Sequence, residues 1–413
     1  MQYVFFLGSH PDLSEAELMT TLRREGYVFT AHHRERQLLL LDMASELPAN
    51  FIDRVGGTLR IGRVLGTRER PWTAVAIQAA FTPKSRKFSL GLSGMPAARV
   101  KLKSIGQELK SQLKRSGHAI SFILPRRQDE LLNAAQVLFN RLIEPPNAEL
   151  VFIRTNDDFV LVATTHIQDI RAYTRRDRHA PHRDAAVGML PPKVAQMMLN
   201  LVPAHTTRPP TVYDPFCGTG TVILEGMLLG WQMIGSDTSE GMVHNAIENA
   251  AWAQRAFPDQ ALLKPQIFRH DVREPFPFKV RERCSAVVTE PYLGRPLHRP
   301  LPRAQVVRQQ VKLADLYLKL FTHARQLFAD EGWIVLALPA VREQGMADWT
   351  LMPQSFLDEV MRLGYRLVQL VSTARGTIIY SRPDALVGRE ISLWHIRKQA
   401  VQRGSDGIQP VSA

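Results

Sequence analysis

The stretch DPFCGTGT, residues 214–221, places two glycines where an apolar, strand-like run stops. A strand that ends in a tight glycine turn and continues as a helix is typical of a ligand site, because backbone N–H groups are exposed there. A phosphate-binding P-loop needs a lysine after its second glycine, and no lysine follows Gly218 or Gly220. A dinucleotide fingerprint needs a third glycine at position 223, which is occupied by Ile223. The sequence therefore excludes both phosphate-binding turns.

The same turn fits S-adenosylmethionine, because its glycines let the backbone approach a ligand and Asp214 can face the ammonium of the methionine part. Asp237 ends the second strand, where a ribose-binding carboxylate is usual, and Asp271 ends the third, where it can accept a hydrogen bond from the adenine amino group. Each acid alone is an ordinary strand-end residue, but three at successive strand ends indicate one ligand site. The predicted cofactor-binding residues are Asp214, Phe216, Cys217, Gly218, Thr219, Gly220, Thr221, Asp237, Thr238, Asp271 and Val272.

The fourth strand ends in VVTEPYLG, residues 287–294. Together with DPFCGTGT, this Pro-Tyr turn resembles the methyltransferases that act on exocyclic base nitrogens, whose fourth-strand motif is [D/N]-P-P-[Y/F]. Four segments are similar to the tRNA guanine-N2 methyltransferases that carry a THUMP RNA-binding domain and act on guanosine at position ten. They are FFLGSHPDLSEAEL, the region from SFILPRR through LLNAAQVLFN, RAYTRRDRHAPHRD and GMLPPKVAQMMLNL. The resemblance covers most of the chain up to about Gly294. It implies S-adenosylmethionine as cofactor, tRNA as partner and guanine N2 as target.

The chain departs from the motif of that family at two positions, since Thr289 stands at the leading Asp/Asn and Glu290 at the first proline. The resemblance implies that the side chain at 289 and the carbonyl of 290 hold the target amine. Glu290 can bring its carboxylate to the same task, or pair with an arginine such as Arg295. Fixed acceptors on the amine localise its lone pair and drain its proton, and Tyr292 can stack on a base swung into the site. The predicted catalytic residues are Thr289, Glu290, Pro291 and Tyr292, with no metal.

The charge of the chain favours a polyanionic partner. Lys and Arg total 52 against 39 Asp and Glu, giving a net charge of +13 and a pI near 10.0. The stretch 84–127 is dense in Lys and Arg and contains one acid, Glu108, and the stretch 171–184 is similarly basic. Most charge runs are solvated helix faces, but two one-sided clusters favour nucleic acid. The predicted RNA contacts are Lys84, Arg86, Lys87, Lys101, Lys103, Lys110, Lys114, Arg115, Arg126, Arg127, Arg175 and Arg176.

The hydrophobic pattern predicts an α/β protein. Apolar strands at TVYDP, WQMIGSD, PQIFRHD, SAVVTEP, WIVLALP and TIIYSRP, with EISLWHIR last, alternate with helical stretches as in a Rossmann-like class I methyltransferase with a seven-stranded, mostly parallel sheet. An α+β ferredoxin-like and THUMP region precedes it. The predicted domains are an N-terminal ferredoxin-like region at 1–70, a THUMP-like RNA-binding domain at 71–170, a basic linker at 171–190, the methyltransferase domain at 191–400 and a disordered tail at 401–413.

Composition narrows the class of protein further. The 413 residues are 45% hydrophobic, without an apolar run long enough to span a membrane, and the opening MQYVFFLG is interpreted as a strand and not a signal peptide. Two cysteines offer no disulfide framework, so we expect a cytoplasmic protein. We also expect it to be a monomer that needs no protein partner. Two alternatives remain: a DNA or rRNA base-amino methyltransferase, and a non-catalytic RNA-binding protein with a decayed methyltransferase fold. The basic first half argues against DNA, and the intact acids and glycines of the turn argue against decay.

Overall fold

The alternation of strands and helices expected from the sequence is present in the computed structural model of the chain. The structure describes residues 1–81, 84–95, 98, 100–127, 130–156, 158–183, 189–204 and 209–398. Part of the predicted linker, residues 184–188, and the predicted disordered tail, residues 401–413, lie outside the described residues. The chain divides into two compact units, one of Met1–Thr206, Thr219–Leu229 and Glu248–Ala261, the other of Thr207–Gly218, Gly230–Ile247 and Leu262–Ala413.

One sheet runs through the strands that precede the predicted linker. They are β1 (Gln2–Leu7), β2 (Phe29–Glu35), β3 (Leu38–Met43), β4 (Thr58–Arg68), β5 (Lys87–Gly94), β6 (Ala119–Ile123), β7 (Ala148–Arg154) and β8 (Phe159–Ile167). In the described part of the chain their order is β2-β3-β1-β4-β8-β7-β5-β6. β4 pairs antiparallel with β8, so strands of the regions predicted at 1–70 and 71–170 belong to the same sheet.

The described part of the first unit contains helices on several stretches of the chain. They are α1 (Pro11–Arg24), α2 (Ala74–Ala80), α3 (Leu102–Arg115), α4 (Ala134–Phe139), α5 (Ile170–Arg178), α6 (Pro192–Asn200) and α7 (Thr221–Leu228). Proline begins α1, where a missing N–H costs little, and Gly26 follows its end with φ +82°. α3 buries Leu102, Leu109 and Leu113 on one face, which leaves its basic residues on the opposite face.

The second unit contains a mostly parallel sheet. Its strands are β9 (Thr211–Asp214), β10 (Gln232–Asp237), β11 (Gln266–Arg269), β12 (Ala286–Thr289), β13 (Glu331–Arg342), β14 (Trp349–Thr350), β15 (Tyr365–Val368), β16 (Ile378–Tyr380) and β17 (Val387–Arg397). The helices that accompany them are α9 (Arg303–Ala324), α10 (Gln354–Arg362) and α8 (Glu240–Ala256), which belongs to this unit only up to Ile247. Over the described residues the main path is β11-β10-β9-β12-β13-β17-β15, with β14 paired to β13 and β16 to β17.

The directions of these strands confirm the predicted fold class. β9 to β13 run parallel, and β17 is antiparallel to both β13 and β15. From β9 the chain continues to β10 and β11 on one side and later to β12 and β13 on the other. The carboxyl ends of β9 and β12 therefore flank the point where the strand order reverses, which is where open α/β sheets bind ligands.

The structure differs from the sequence prediction at the end of the sheet. The segment TIIYSRP forms only the three-residue strand β16, beside the first half of β17. The edge position is taken by β15, a four-residue strand that was not predicted because its pattern is too short to be distinguished from a turn. In the first unit, the segment NFIDR forms a single 3₁₀ turn, Phe51–Arg54. The core of the second unit contains Tyr317 and Phe321 of α9 and Trp394 of β17, all fully buried.

The described residues contain no helix long and apolar enough to cross a membrane. Within the same ranges, no three His, Cys, Asp or Glu side chains gather in a way that could hold a metal ion. Cys217 and Cys284 are free thiols, and burial raises the pKa of each, so both are poor nucleophiles.

Candidate active site

Two strand ends meet at the switch point of the second unit through a hydrogen bond. The Thr289 hydroxyl, at the end of β12, donates to Asp214 Oδ1 at the end of β9 over 2.5 Å. The same carboxylate oxygen accepts from the backbone N–H of Phe216 at 3.2 Å. Asp214 is 2% exposed and Thr289 is fully buried. Asp214 therefore fixes the first residues of the glycine turn against the strand that carries the TEPY sequence.

The environment of Asp214 changes its ionisation. Burial raises the pKa of this carboxyl group to about 7, opposed by the hydrogen bonds from Thr289 and Phe216 and assisted by the negative charges of Asp237 and Glu290. Near neutral pH the protonated and ionised forms of this group are therefore both present. A cation placed beside it favours the ionised form, as the predicted contact with the ammonium of the cofactor requires.

The glycine turn has the backbone conformation that only glycine adopts without strain. Gly218 has φ +50° and Gly220 has φ +88°, and Gly220 is the residue directly before α7. A Cβ built on Gly218 meets nothing within 4 Å, so the backbone there faces open space. The N–H of Cys217 donates to the Ser236 carbonyl at 2.9 Å. The open face of the turn fits a ligand that approaches the main chain closely.

Asp237 holds the turn from the end of β10. One carboxylate oxygen accepts from the Gly218 N–H at 3.1 Å and the other from the Ser239 N–H at 2.9 Å. Its side chain is partly exposed, and an ionised carboxylate has about four acceptor positions, so two ribose hydroxyls can still donate to it. The neighbouring Thr238 carbonyl accepts from Arg269 Nε at 3.0 Å. These residues fit the ribose of S-adenosylmethionine.

Asp271 is engaged by a neighbour in the structure. Arg273 Nε lies 3.0 Å from both carboxylate oxygens and Nη2 lies 2.5 Å from Oδ2, and this contact lowers the pKa of Asp271. The predicted hydrogen bond to an adenine amino group must therefore use the remaining acceptor positions of this carboxylate. Val272 is buried, and its carbonyl contacts His323 Nδ1 at 2.9 Å.

The four residues of the TEPY turn, 289–292, lie in different environments. Thr289 was predicted as an acceptor for the target amine, but its hydroxyl is fully buried and donates to Asp214, so the structure contradicts that role. Pro291 is buried, while Tyr292 is 48% exposed and keeps its ring in solvent. The Tyr292 carbonyl accepts from the Tyr317 hydroxyl at 2.7 Å, which fixes the backbone of the turn.

The Glu290 carboxylate is paired with Arg389 of β17. Arg389 Nε and Nη2 donate to the two carboxylate oxygens, the second at 3.0 Å. The two side chains are 17% and 13% exposed, respectively. Burial raises the pKa of Glu290, and Arg389 opposes that shift. The alternative considered from the sequence, an arginine pair for this acid, is therefore present, with Arg389 in the place suggested for Arg295.

Most residues predicted to contact RNA are exposed. Lys110, Lys114 and Arg115 lie on the solvent face of α3, and the other predicted lysines and arginines are exposed as well, with one exception. Arg176 donates to Glu225 of α7 at 2.6 Å, with 7% of its side chain exposed, and stacks on the Tyr173 ring at 3.9 Å. The prediction for Arg176 is wrong because the helical spacing of α5 turns this residue inward.

Two residues near the turn were not found from the sequence. Asn249 of α8 is buried, and its side-chain amide makes three hydrogen bonds to the backbone. Its oxygen accepts from the His182 N–H, and its nitrogen donates to the His182 carbonyl and to the Thr219 carbonyl, the last at 2.8 Å. Glu225 is fully buried in α7 with Arg176. An acid inside the apolar stretch TVILEGML was a usable signal for a buried partner, whereas nothing in the sequence near Asn249 indicated its contacts.

Comparison with known proteins defines the class of this site. Residues 180–256 match the UPF0020 family, described as an RMKL-like methyltransferase domain. That segment contains the whole glycine turn and Asp237. The chain therefore contains the fold of an S-adenosylmethionine-dependent methyltransferase domain.

Curated relatives confirm the family resemblance predicted from the sequence. The chain is 23% identical over 352 residues to the tRNA (guanine(10)-N2)-dimethyltransferase of Methanothermobacter thermautotrophicus, covering 81% of this chain and 88% of the relative. It is 31% identical over 151 residues to the protein of that name from Pyrococcus abyssi, covering 37% of this chain and 39% of the relative. A possible methylase from Clostridium difficile 630 aligns over 97% of this chain and 99% of its own, with a TM-score of 0.48 and 12% identity.

Proposed function

We propose that this protein transfers a methyl group from S-adenosylmethionine to the N2 amine of a guanine in tRNA, at position ten. The observation that carries the proposal is the Thr289–Asp214 hydrogen bond, because it places the TEPY turn beside the glycine turn at one edge of the sheet. The similarity over 81% of the chain to a tRNA (guanine(10)-N2)-dimethyltransferase supports the substrate. In this proposal the glycine turn binds the cofactor, the TEPY turn binds the base, and both serve one reaction.

The residues of the chain have separate tasks in this reaction. When bound, S-adenosylmethionine supplies an electrophilic methyl group on a sulfonium. The glycine turn and Asp237 bind and orient the cofactor, with Asp237 at its ribose. Asp214 offers a carboxylate to the ammonium of its methionine part. The Glu290 carbonyl accepts a hydrogen of the target amine and Tyr292 stacks on the base. The amine loses a proton on methylation, and Glu290 supplies the one carboxylate of the TEPY turn, which can accept that proton.

The exposed lysines and arginines of the first unit support RNA binding by charge and shape. Lys110, Lys114 and Arg115 form a solvent-facing row at the end of α3, in a chain of net charge +13. The proposal includes a cytoplasmic protein that acts as a monomer without an activating subunit. Gel filtration with light scattering tests the monomer, and activity of the purified chain tests the need for a subunit.

Nucleoside mass spectrometry tests the proposed reaction. An unmodified tRNA transcript is incubated with the protein and isotopically methyl-labelled S-adenosylmethionine, then digested to nucleosides. We expect labelled N2-methylguanosine or its dimethyl form, and the mass of the product counts the methyl groups. Label on adenine N6 or cytosine N4 would show a different base-amino methyltransferase. Binding of tRNA without any label would support the decayed-fold alternative.

A further inference from the structure

The resembled motif has proline at the position of Glu290, so this chain carries a carboxylate that the motif does not supply. We propose that the Glu290 side chain, held by Arg389, accepts a hydrogen bond from N1–H of the target base and thereby selects guanine among bases that carry an exocyclic amine. This inference rests on the proposed function. It adds a specificity-determining contact to a reaction for which the backbone carbonyl of the same residue holds the amine.

The hydrogen-bonding pattern of the bases supports this assignment. Guanine presents its N2 amine and its N1–H side by side, and both are donors. Adenine and cytosine place a ring nitrogen acceptor beside their amine. An ionised carboxylate only accepts hydrogen bonds, so it attracts the guanine edge and repels the other two. A carbonyl and a carboxylate on one residue, as at Glu290, therefore match two adjacent donors.

The Glu290–Arg389 contact makes the carboxylate suitable for this task. Arg389 binds both oxygens, which restricts the rotation of the side chain and favours its ionised form. Each carboxylate oxygen has two lone pairs, so a further donor can still be accepted. The carboxylate retains 17% exposure at the turn where Tyr292 presents its ring to solvent.

The test compares two tRNA substrates that carry guanine or 2-aminopurine at the target position. 2-Aminopurine has the same amine at C2, but its N1 is an acceptor without a hydrogen and its C6 carries no oxygen, so the change of the rate ratio in the Glu290 variants reports the N1 contact. Single-turnover rates with saturating cofactor give the ratio of guanine to 2-aminopurine methylation for each enzyme. For the wild type we expect a ratio of about tenfold to a hundredfold in favour of guanine, the discrimination of one well-placed pair of contacts.

The Glu290→Gln variant should bring that ratio close to one, because an amide both donates and accepts. Glu290→Asp keeps the charge and should keep most of the discrimination at a lower rate. Glu343→Gln is the matched control, since Glu343 also pairs with an arginine, Arg303 at 2.9 Å, and its substitution should leave the ratio unchanged. If Glu290→Gln alone fails to bind cofactor normally, the double variant with Arg389→Gln replaces it, because no buried charge is then left unpaired.

Two results would overturn the inference: a wild-type ratio near one, or a Glu290→Gln enzyme that is slow on both substrates with the wild-type ratio. Either result leaves guanine methylation intact as the proposed function. A wild-type enzyme that methylates neither the guanine nor the 2-aminopurine at the target position contradicts the proposed function and, with it, this inference. The outcomes are therefore distinguishable in one set of measurements.

Discussion

At the scale of single residues, Asp214 links cofactor binding to pH. Its pKa is raised to about 7, and only its ionised form attracts the cofactor ammonium. We expect the affinity for S-adenosylmethionine to rise about tenfold per pH unit below pH 7 and to level off above it, because the proton must leave before the ion pair forms. Calorimetry between pH 5.5 and 8.5 measures this dependence. Asp214→Asn should bind weakly with a flat profile, and an unchanged profile in this variant would remove Asp214 from the ammonium contact.

Gly218 allows a test of the glycine turn with a matched control. Gly218 and Gly230 both have positive φ, +50° and +76°, and a Cβ on either meets nothing within 4 Å. Alanine at each position should cost about 1–2 kcal/mol of stability through backbone strain. Only Gly218→Ala should also lower the affinity for S-adenosylmethionine, since the open space there is assigned to the ligand. Thermal unfolding measures the loss of stability in both variants, and calorimetry measures their affinity for S-adenosylmethionine. Equal affinities of the two variants would argue against a cofactor site at Gly218.

The site residues that were predictable from the sequence are those at strand ends. Asp214, Gly218 and Asp237 follow recognisable strands, so their convergence at one sheet edge could be inferred. Arg389 could not be inferred because it is 99 residues away from Glu290 in sequence and reaches it only through the position of β17 in the sheet. The burial of Thr289 likewise depends on the packing of β12 between β9 and β13.

At the scale of elements, the pair between α5 and α7 should stabilise the first unit. Arg176 and Glu225 are 7% and 0% exposed, so removing one partner leaves a buried charge. Arg176→Ala should lower the free energy of unfolding by about 3–5 kcal/mol. Arg178→Ala, at an exposed position of the same helix, should change it by less than about 0.5 kcal/mol. Urea unfolding followed by circular dichroism gives both values, and similar losses in the two variants would contradict a stabilising pair.

The element pattern of the methyltransferase sheet was largely predictable, because strands β9 to β13 are apolar runs bounded by turn residues. The short edge strand β15 was missed, since four residues carry too little periodicity. The direction of Arg176 was also missed, since α5 is strongly basic and only its contact with α7 shows which arginine turns inward. Tertiary packing decides such cases, and local pattern does not.

At the scale of the whole molecule, the excess of positive charge should govern tRNA affinity. If α3 contacts phosphates, the affinity for tRNA falls steeply with salt because bound counterions are released on association.

Reversing Lys110, Lys114 and Arg115 to Glu should reduce the slope of log affinity against log salt by about 2–3. Reversing three exposed arginines of the second unit, Arg283, Arg366 and Arg397, makes the same change in net charge and should alter the slope less. Filter binding from about 50 to about 200 mM salt, over which a protein with several phosphate contacts loses most of its affinity, distinguishes the two sets of variants. Equal slopes would mean that α3 is an ordinary solvated face.

The central claim is that the amine of one guanine receives the methyl group. The most direct measurement is methyl transfer from radiolabelled S-adenosylmethionine to two tRNA transcripts that differ only at position ten, one with guanine and one with inosine. Inosine keeps the ring, the carbonyl and N1–H of guanine and lacks only the exocyclic amine. We predict incorporation into the guanine transcript and background counts in the inosine transcript, with both binding equally well. Equal incorporation into the two transcripts would contradict the account.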